Sequence, residues 1–252
     1  MAQHRRQDRI LEMIREHGFV TTEQLVETFH VTPQTIRRDL NELARQNLLR
    51  RHHGGAGIDS STANTEYQTR KIMDLEAKER IAEALVEMIP DNASMFINIG
   101  TTTETIARAL LKKNNLQVVT NNLHVASILS AKEDFHIIIA GGEVRNRDGG
   151  IVGEATRDFI NQFKMDFGII GISGIHSDGS LLDFDYREVR VAQAIIANSD
   201  QVLLAADHTK FGRKAMVRLG TITQANHVFT DAPPPKPLRA MLADNDIQLH
   251  VV

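Results

Sequence analysis

The chain has 252 residues, 42% hydrophobic and 24% charged, the composition of a globular protein long enough to bury a sizeable core. It holds no cysteine, which excludes disulfides, thiolate metal sites and cysteine nucleophiles. Its formal net charge of −3 hides an asymmetry: residues 1–57 carry nine arginines against seven acidic residues, and the remainder 20 basic against 25 acidic. A basic end on an acidic body suits a polyanionic partner at that end only. No run of about 18 apolar residues marks a membrane span. The opening MAQHRRQDRI lacks the apolar stretch of a signal peptide, so no membrane association and a cytoplasmic location are expected.

From the N-terminus, Ile10, Leu11 and Ile14 set one apolar face of a first helix, which Gly18 closes as a C-cap. Thr21 and Gln24 have capping-box spacing ahead of Leu25, Val26 and Phe29. A third helix opens with Thr32 as N-cap and Pro33 at its first position. Ile36, Leu40 and Leu43 form its buried stripe, leaving Gln34, Thr35, Arg37, Arg38 and Asn41 outside. Gly54-Gly55 then turns a short hairpin bearing Arg50, Arg51, His52 and His53. This is the grammar of a winged helix-turn-helix over residues 1–57. Arg37 and Arg38 can fork to guanine edges or phosphates, while Gln34, Thr35 and Asn41 can read base edges. The wing would add Arg50, Arg51 and His52, and Thr21 and Thr32 complete the candidate DNA contacts. From pattern alone, a solvated helical bundle with a charged face is the alternative.

IDSSTANTE, residues 58–66, has linker composition, and the linker is drawn over residues 58–74. Residues 75–252 then read as an α/β domain. A helix at 75–89 leads to apolar runs beginning at 95, 116, 135, 167, 201, 227 and 247. Helical patterns at 103–113, 122–131, 155–163, 185–198 and 236–244 separate most of them. Near-continuous apolar strands alternating with amphipathic helices predict a doubly wound parallel sheet.

Ligands of such sheets bind at strand carboxyl ends. Gly100-Thr101-Thr102-Thr103 follows the strand at 95–99 and opens a helix, a glycine turn with free N–H groups that suits an anion. The other reading is a plain capping box of Thr101 with Glu104, whose charge would repel an anion. Asn121 and Asn122 follow the next strand, Gly141 and Gly142 the one after. Lys210 lies past Asp207 and can supply a counter-charge, although a lone loop lysine is usually just solvated. The histidines show no spacing that builds a metal site.

Several strings resemble the DeoR family of bacterial transcription regulators. TPQTIRRDLNELARQNLLRRHHGGA resembles its winged helix; FINIGTTTE, VVTNN, IIIAGGEVRNRDGGIVGE, GISGIHSDGSLLDFDYREV and DHTKFGR resemble its sensor domain, and coverage is essentially full length. The resemblance implies a homotetrameric repressor of glycerol and glycerol 3-phosphate metabolism genes, bound to operator double-stranded DNA. It would be released by a phosphorylated inducer, glycerol 3-phosphate, with another phosphorylated sugar as the alternative, and would use no cofactor or metal. It carries the phosphate-sensing loop onto Gly100, Thr101 and Thr102 and the family lysine onto Lys210; Asp183 joins the effector candidates. Where many members have an acidic residue two places before that glycine, this chain has Asn98. The sensor domain would share the fold of ribose-5-phosphate isomerase and glucosamine-6-phosphate deaminase. An isomerase-like use of Asp183, Asp185, Glu188 and Lys210 is therefore conceivable, yet a DNA-binding domain has no use in such an enzyme. No catalysis is expected.

Overall fold

In a computed structural model, residues 2–46, 48–52, 54–57 and 67–252 are described. The chain forms two compact units, residues 1–75 and 76–252. Of the expected linker, residues 58–66 lie outside the described residues, as does His53, while residues further on form a helix rather than coil. Among the described residues, no helix is long and apolar enough to cross a membrane.

The first unit runs α1 (Ala2–His17), β1 (Phe19–Thr21), α2 (Thr22–Phe29), α3 (Pro33–Arg45), β2 (Arg50–His52), β3 (Gly55–Gly57) and α4 (Tyr67–Ile72). Ile10, Ile14, Leu25, Ile36 and Leu40 are fully buried in one cluster, each contributing about 1.5–3 kcal/mol of burial. The apolar stripe of α3 thus faces inward as its spacing predicts. Gly18 takes φ +76° and its N–H donates to the Ile14 carbonyl at 2.8 Å, ending α1 as a left-handed C-cap. The strands form an antiparallel sheet in the order β1-β3-β2. Gly55 is required there, because a Cβ would lie 2.4 Å from the Val20 carbonyl oxygen. Asp39 of α3, 1% exposed, accepts from Arg6 Nε at 2.6 Å, which fixes α3 against α1.

The second unit begins with α5 (Leu75–Glu87), β4 (Ser94–Ile97), α6 (Thr101–Leu110), β5 (Gln117–Thr120), α7 (Leu123–Leu129) and β6 (His136–Ile139). The hairpin β7 (Glu143–Arg145) and β8 (Gly150–Val152) follows, then α8 (Glu154–Ile160), β9 (Met165–Gly171), β10 (Gly174–Ile175) and β11 (Ser180–Asp183). The chain ends with α9 (Tyr186–Ala197), β12 (Ser199–Ala205), β13 (Val217–Thr221), β14 (His227–Thr230), α10 (Lys236–Asp244) and β15 (Gln248–Val251). Seven strands make one sheet, β15-β14-β12-β9-β4-β5-β6, and every pairing in it is parallel. Met95 and Ile97 pack beneath α5, α6 and α7, whereas Phe96 packs with α8, α9 and α10 on the other face. This is the doubly wound sheet the apolar runs predict. Strand order reverses between β4 and β9, the place where such sheets bind ligands. The small antiparallel sheet β10-β11-β13 and the β7–β8 hairpin are additions that the sequence pattern did not reveal.

Candidate nucleic-acid interface and anion site

On α3, Gln34, Arg37, Arg38 and Asn41 are exposed and Thr35 is half-buried, opposite the buried Ile36, Leu40 and Leu43. A buried stripe on one side therefore fixes a polar, basic face on the other. Thr32 and Thr21 act as caps: Thr32 Oγ1 accepts from Thr35 N–H at 3.3 Å, and Thr21 with Gln24 completes a reciprocal capping box. Their hydroxyls are thus committed to helix starts. Arg50 and Arg51 sit half-buried on β2. Arg51 Nη1 is buried without a hydrogen-bond partner, and burial, then the charge of Arg37, hold Arg51 below its ordinary pKa. Helix and wing arginines are close enough to repel, which an anion between them would relieve. His52 departs from expectation. Its side chain is only 10% exposed and 4.0 Å from Asp74, with its ring edge-on to Phe19 at 5.6 Å, so local packing draws it away from a DNA-facing surface.

At the carboxyl end of the sheet, Gly100 caps α6 at φ +153°, a positive-φ conformation that favours glycine, with no side-chain cap bond, so the capping box of Thr101 with Glu104 does not form. The helix opens on bare N–H groups. Thr103 Oγ1 donates to the carbonyls of Asn98 and Gly100 at 2.8 Å each, which commits that hydroxyl to the loop itself and removes it as an effector donor. Asn98 Oδ1 accepts from Ile99 N–H at 2.7 Å. Thr101 and Thr102 are buried beside them.

On the neighbouring strand end, Asn121 and Asn122 are fully buried. Asn121 Nδ2 donates to the Ile151 carbonyl at 3.0 Å, and Asn122 Oδ1 caps α7 through His124 N–H at 2.9 Å. Asn121 Oδ1 and Asn122 Nδ2 remain buried without hydrogen-bond partners, a costly arrangement unless a ligand satisfies them. Lys210 follows β12, its Nζ 3.4 Å from Asp207 Oδ2. Asp207 is itself buried; burial would raise its pKa, but Lys210, the Thr209 hydroxyl and Lys78 hold it well below the carboxylate range.

Gly141 and Gly142 serve packing instead. Thr156 Oγ1 donates to the Gly141 carbonyl at 2.9 Å, and a Cβ on Gly142 would meet that same hydroxyl oxygen at 2.0 Å. They follow β6, four strands from β12, roughly 19 Å across the sheet, too far for one small ligand to reach both them and Lys210. Asp183 Oδ1 accepts from Ser173 Oγ at 3.0 Å and Phe184 N–H at 2.7 Å, a structural use.

Sequence reasoning did not single out Arg145. Its guanidinium, 9% exposed, forks to Asp148 at 2.8 Å through both Nε and Nη2. It also reaches Asp185 at 3.0 Å and Glu188 at 2.7 Å. Burial alone would lower its pKa, but Glu188 and Asp148 outweigh that and raise it. Glu188 is pushed up to about 8, by burial first and then by Asp183. Asp185 and Glu188, weighed above as acids and bases, are thereby tied to a structural cation. Among the described residues no group of His, Asp or Glu forms a metal-holding cluster.

Residues 6–62 match the DeoR-like helix-turn-helix domain and residues 73–232 the DeoR C terminal sensor domain. The chain is 59% identical over 251 residues, 100% of both chains, to the glycerol-3-phosphate regulon repressor of Escherichia coli (strain K12). It is 51% identical to that of Haemophilus influenzae, over 93% of this chain and 91% of that one. The HTH-type transcriptional repressor CsqR of Escherichia coli is 40% identical over 97% of this chain and 94% of its own. Among solved structures, eIF2B delta from Chaetomium thermophilum aligns with a TM-score of 0.50 at 12% identity, over 81% of this chain and 65% of that chain. That is a likeness of fold alone.

Proposed function

The chain belongs to the DeoR family of transcription regulators, and from that premise we propose that it represses glycerol 3-phosphate metabolism genes by binding operator DNA and leaves the operator when glycerol 3-phosphate binds. Full-length identity of 59% to a glycerol-3-phosphate regulon repressor supports the regulon, and the exposed Gln34–Arg37–Arg38–Asn41 face of α3 supports DNA as the partner. It is a regulator and not an enzyme: its relatives are repressors, and two of the three carboxylates that could serve an isomerase, Asp185 and Glu188, are bound to Arg145. The effector reading rests on Gly100–Thr102 at a helix start beside the unpartnered amide atoms of Asn121 and Asn122. The helix start attracts a phosphate, and the amides suit hydroxyls. Such a protein needs no resident cofactor and works in the cytoplasm.

Replacing Arg37 by Ala should weaken specific operator binding by about 1–3 kcal/mol at fixed salt, the worth of a bidentate base contact. Removing Arg50 and Arg51 together should instead lower the slope of log affinity against log salt by about 1–2, because phosphate contacts act through released counterions. Unrelated DNA is the control for both measurements. Unchanged operator specificity in Ala variants at Arg37 and Arg38 would put readout elsewhere.

We further propose a homotetramer, since one small winged helix offers little surface and paired heads on paired half-sites multiply affinity. Light scattering should give four chains at concentrations well above the operator-binding range. A monomer there would refute the assembly.

A further inference from the structure

Asn121 and Asn122 follow β5 and are both fully buried, and the groups they touch fix which way each amide is turned. The Ile151 carbonyl can only accept, so the atom facing it at 3.0 Å is Asn121 Nδ2. The main-chain N–H groups of His124 and Val125 can only donate, so the atom they meet at 2.9 and 3.4 Å is Asn122 Oδ1. That leaves Asn121 Oδ1, an acceptor, and Asn122 Nδ2, a donor, each buried without a hydrogen-bond partner among the described residues. Neither amide can turn to help itself, because a flip breaks the bond that holds it. The backbone is held as well: Thr120 Oγ1 donates to the Ile97 carbonyl at 2.7 Å and accepts from Asn122 N–H at 3.1 Å.

A buried hydrogen bond left unmade is costly, and here two of opposite polarity stand on consecutive residues. A carboxylate brings only lone pairs, and an alkyl group brings nothing. A hydroxyl brings one hydrogen and two lone pairs, which is what the two atoms lack. The β7–β8 hairpin ties this place to the start of α6. Gly150 forms a bridge with Asn122, and a Cβ on Gly150 would lie 2.6 Å from Ile99 Cδ1, next to the Gly100 cap. The same hairpin covers the asparagines: Ile151 N–H donates to the Asn121 carbonyl at 2.7 Å, and Leu123 N–H donates to the Gly149 carbonyl at 3.0 Å.

Resting on the effector reading above, we propose that Asn121 and Asn122 read the end of the inducer remote from its phosphate as an alcohol. Asn121 Oδ1 takes a hydroxyl hydrogen, Asn122 Nδ2 gives one to a hydroxyl oxygen, and the β7–β8 hairpin gives way to admit them. A phosphate alone is then not enough. The site selects phosphate esters of polyols over alkyl phosphates and over esters that end in a carboxylate.

The test uses the full chain and three ligands: glycerol 3-phosphate, n-propyl phosphate, which has the same carbon chain without hydroxyls, and phosphoglycolate, which ends in a carboxylate. Calorimetry gives the affinity of each for the parent and for Asn122→Ser, and melting temperature is read on the same samples. Serine caps a helix about as well as asparagine, so the variant keeps the start of α7 and loses the Nδ2 donor. Glycerol 3-phosphate should bind the parent roughly 10-fold or more tighter than either analogue. Asn122→Ser should weaken it roughly 5- to 30-fold while leaving n-propyl phosphate within about twofold of the parent. The melting temperature should hold or rise, because an unsatisfied buried group has been removed. A purely structural asparagine predicts a lowered melting temperature with both phosphates weakened alike or neither weakened, and that outcome overturns the proposal. Should Asn122→Ser not fold, Asn122→Thr, which also caps a helix, carries the same comparison. Either analogue binding the parent as tightly as glycerol 3-phosphate overturns the hydroxyl reading and leaves the phosphate site standing. Parent protein that binds none of the three overturns the effector reading itself.

Discussion

Replacing Arg145 by Met is expected to destabilise the second unit by about 3–5 kcal/mol, the cost of breaking a buried ion pair from one side. The side chain touches Asp148, Asp185 and Glu188 at once, and Asp183 lies close enough to raise Glu188. Without the guanidinium these carboxylates face one another in a site of low dielectric. They then take up protons, so the deficit should be smaller at pH 5.5 than at pH 8. The parent carries a weaker form of the same dependence. Glu188 has a folded-state pKa of about 8 against 4.5 unfolded, so the folded chain holds the extra proton and stability declines as pH rises through that window. Urea unfolding of parent and variant at both pH values separates the two effects. A deficit below about 1 kcal/mol at pH 8 would mean that solvent reaches the cluster and screens it.

Arg145 also shows where sequence reading stops. Its partners lie 3, 40 and 43 residues away, and its strand has only three residues, Glu-Val-Arg, too short and too charged to stand out as a period-two pattern. By contrast the capping box of Thr21 with Gln24, the Thr32 cap and the left-handed Gly18 were legible because each depends on residues three or four positions apart. The seven parallel strands were legible because both faces of the sheet are covered, which leaves near-continuous apolar runs such as Val202–Leu203–Leu204. Errors at the candidate sites share one cause. Thr103, Gly142 and His52 have residue types that bind ligands, but the fold uses them for a loop hydrogen bond, a close backbone approach and an inward-facing ring.

Glycerol 3-phosphate should relieve operator binding by about 100-fold, and glycerol should do almost nothing. An effector weakens DNA binding only through different affinities for the bound and free states, so that relief corresponds to about 2.7 kcal/mol of coupling summed over the sites of the assembly. The anion is what the bare N–H groups opening α6 and the cation at Lys210 favour; the hydroxyls are left for Asn121 and Asn122. Thr102→Val removes one hydroxyl while nearly keeping shape, and Lys210→Met removes the charge. Each should raise the inducer concentration for half-release relative to its own uninduced binding, Lys210→Met the more because a charge-assisted contact is roughly twice as strong as a neutral one. Calorimetry and operator release, measured together, distinguish weakened binding from weakened coupling: the first shifts both midpoints alike, the second only the release. Parent-like midpoints in both variants would place the phosphate away from this strand end. Equal release by glycerol would remove the need for an anion site, and greater release by another phosphorylated sugar would keep the site while changing its ligand.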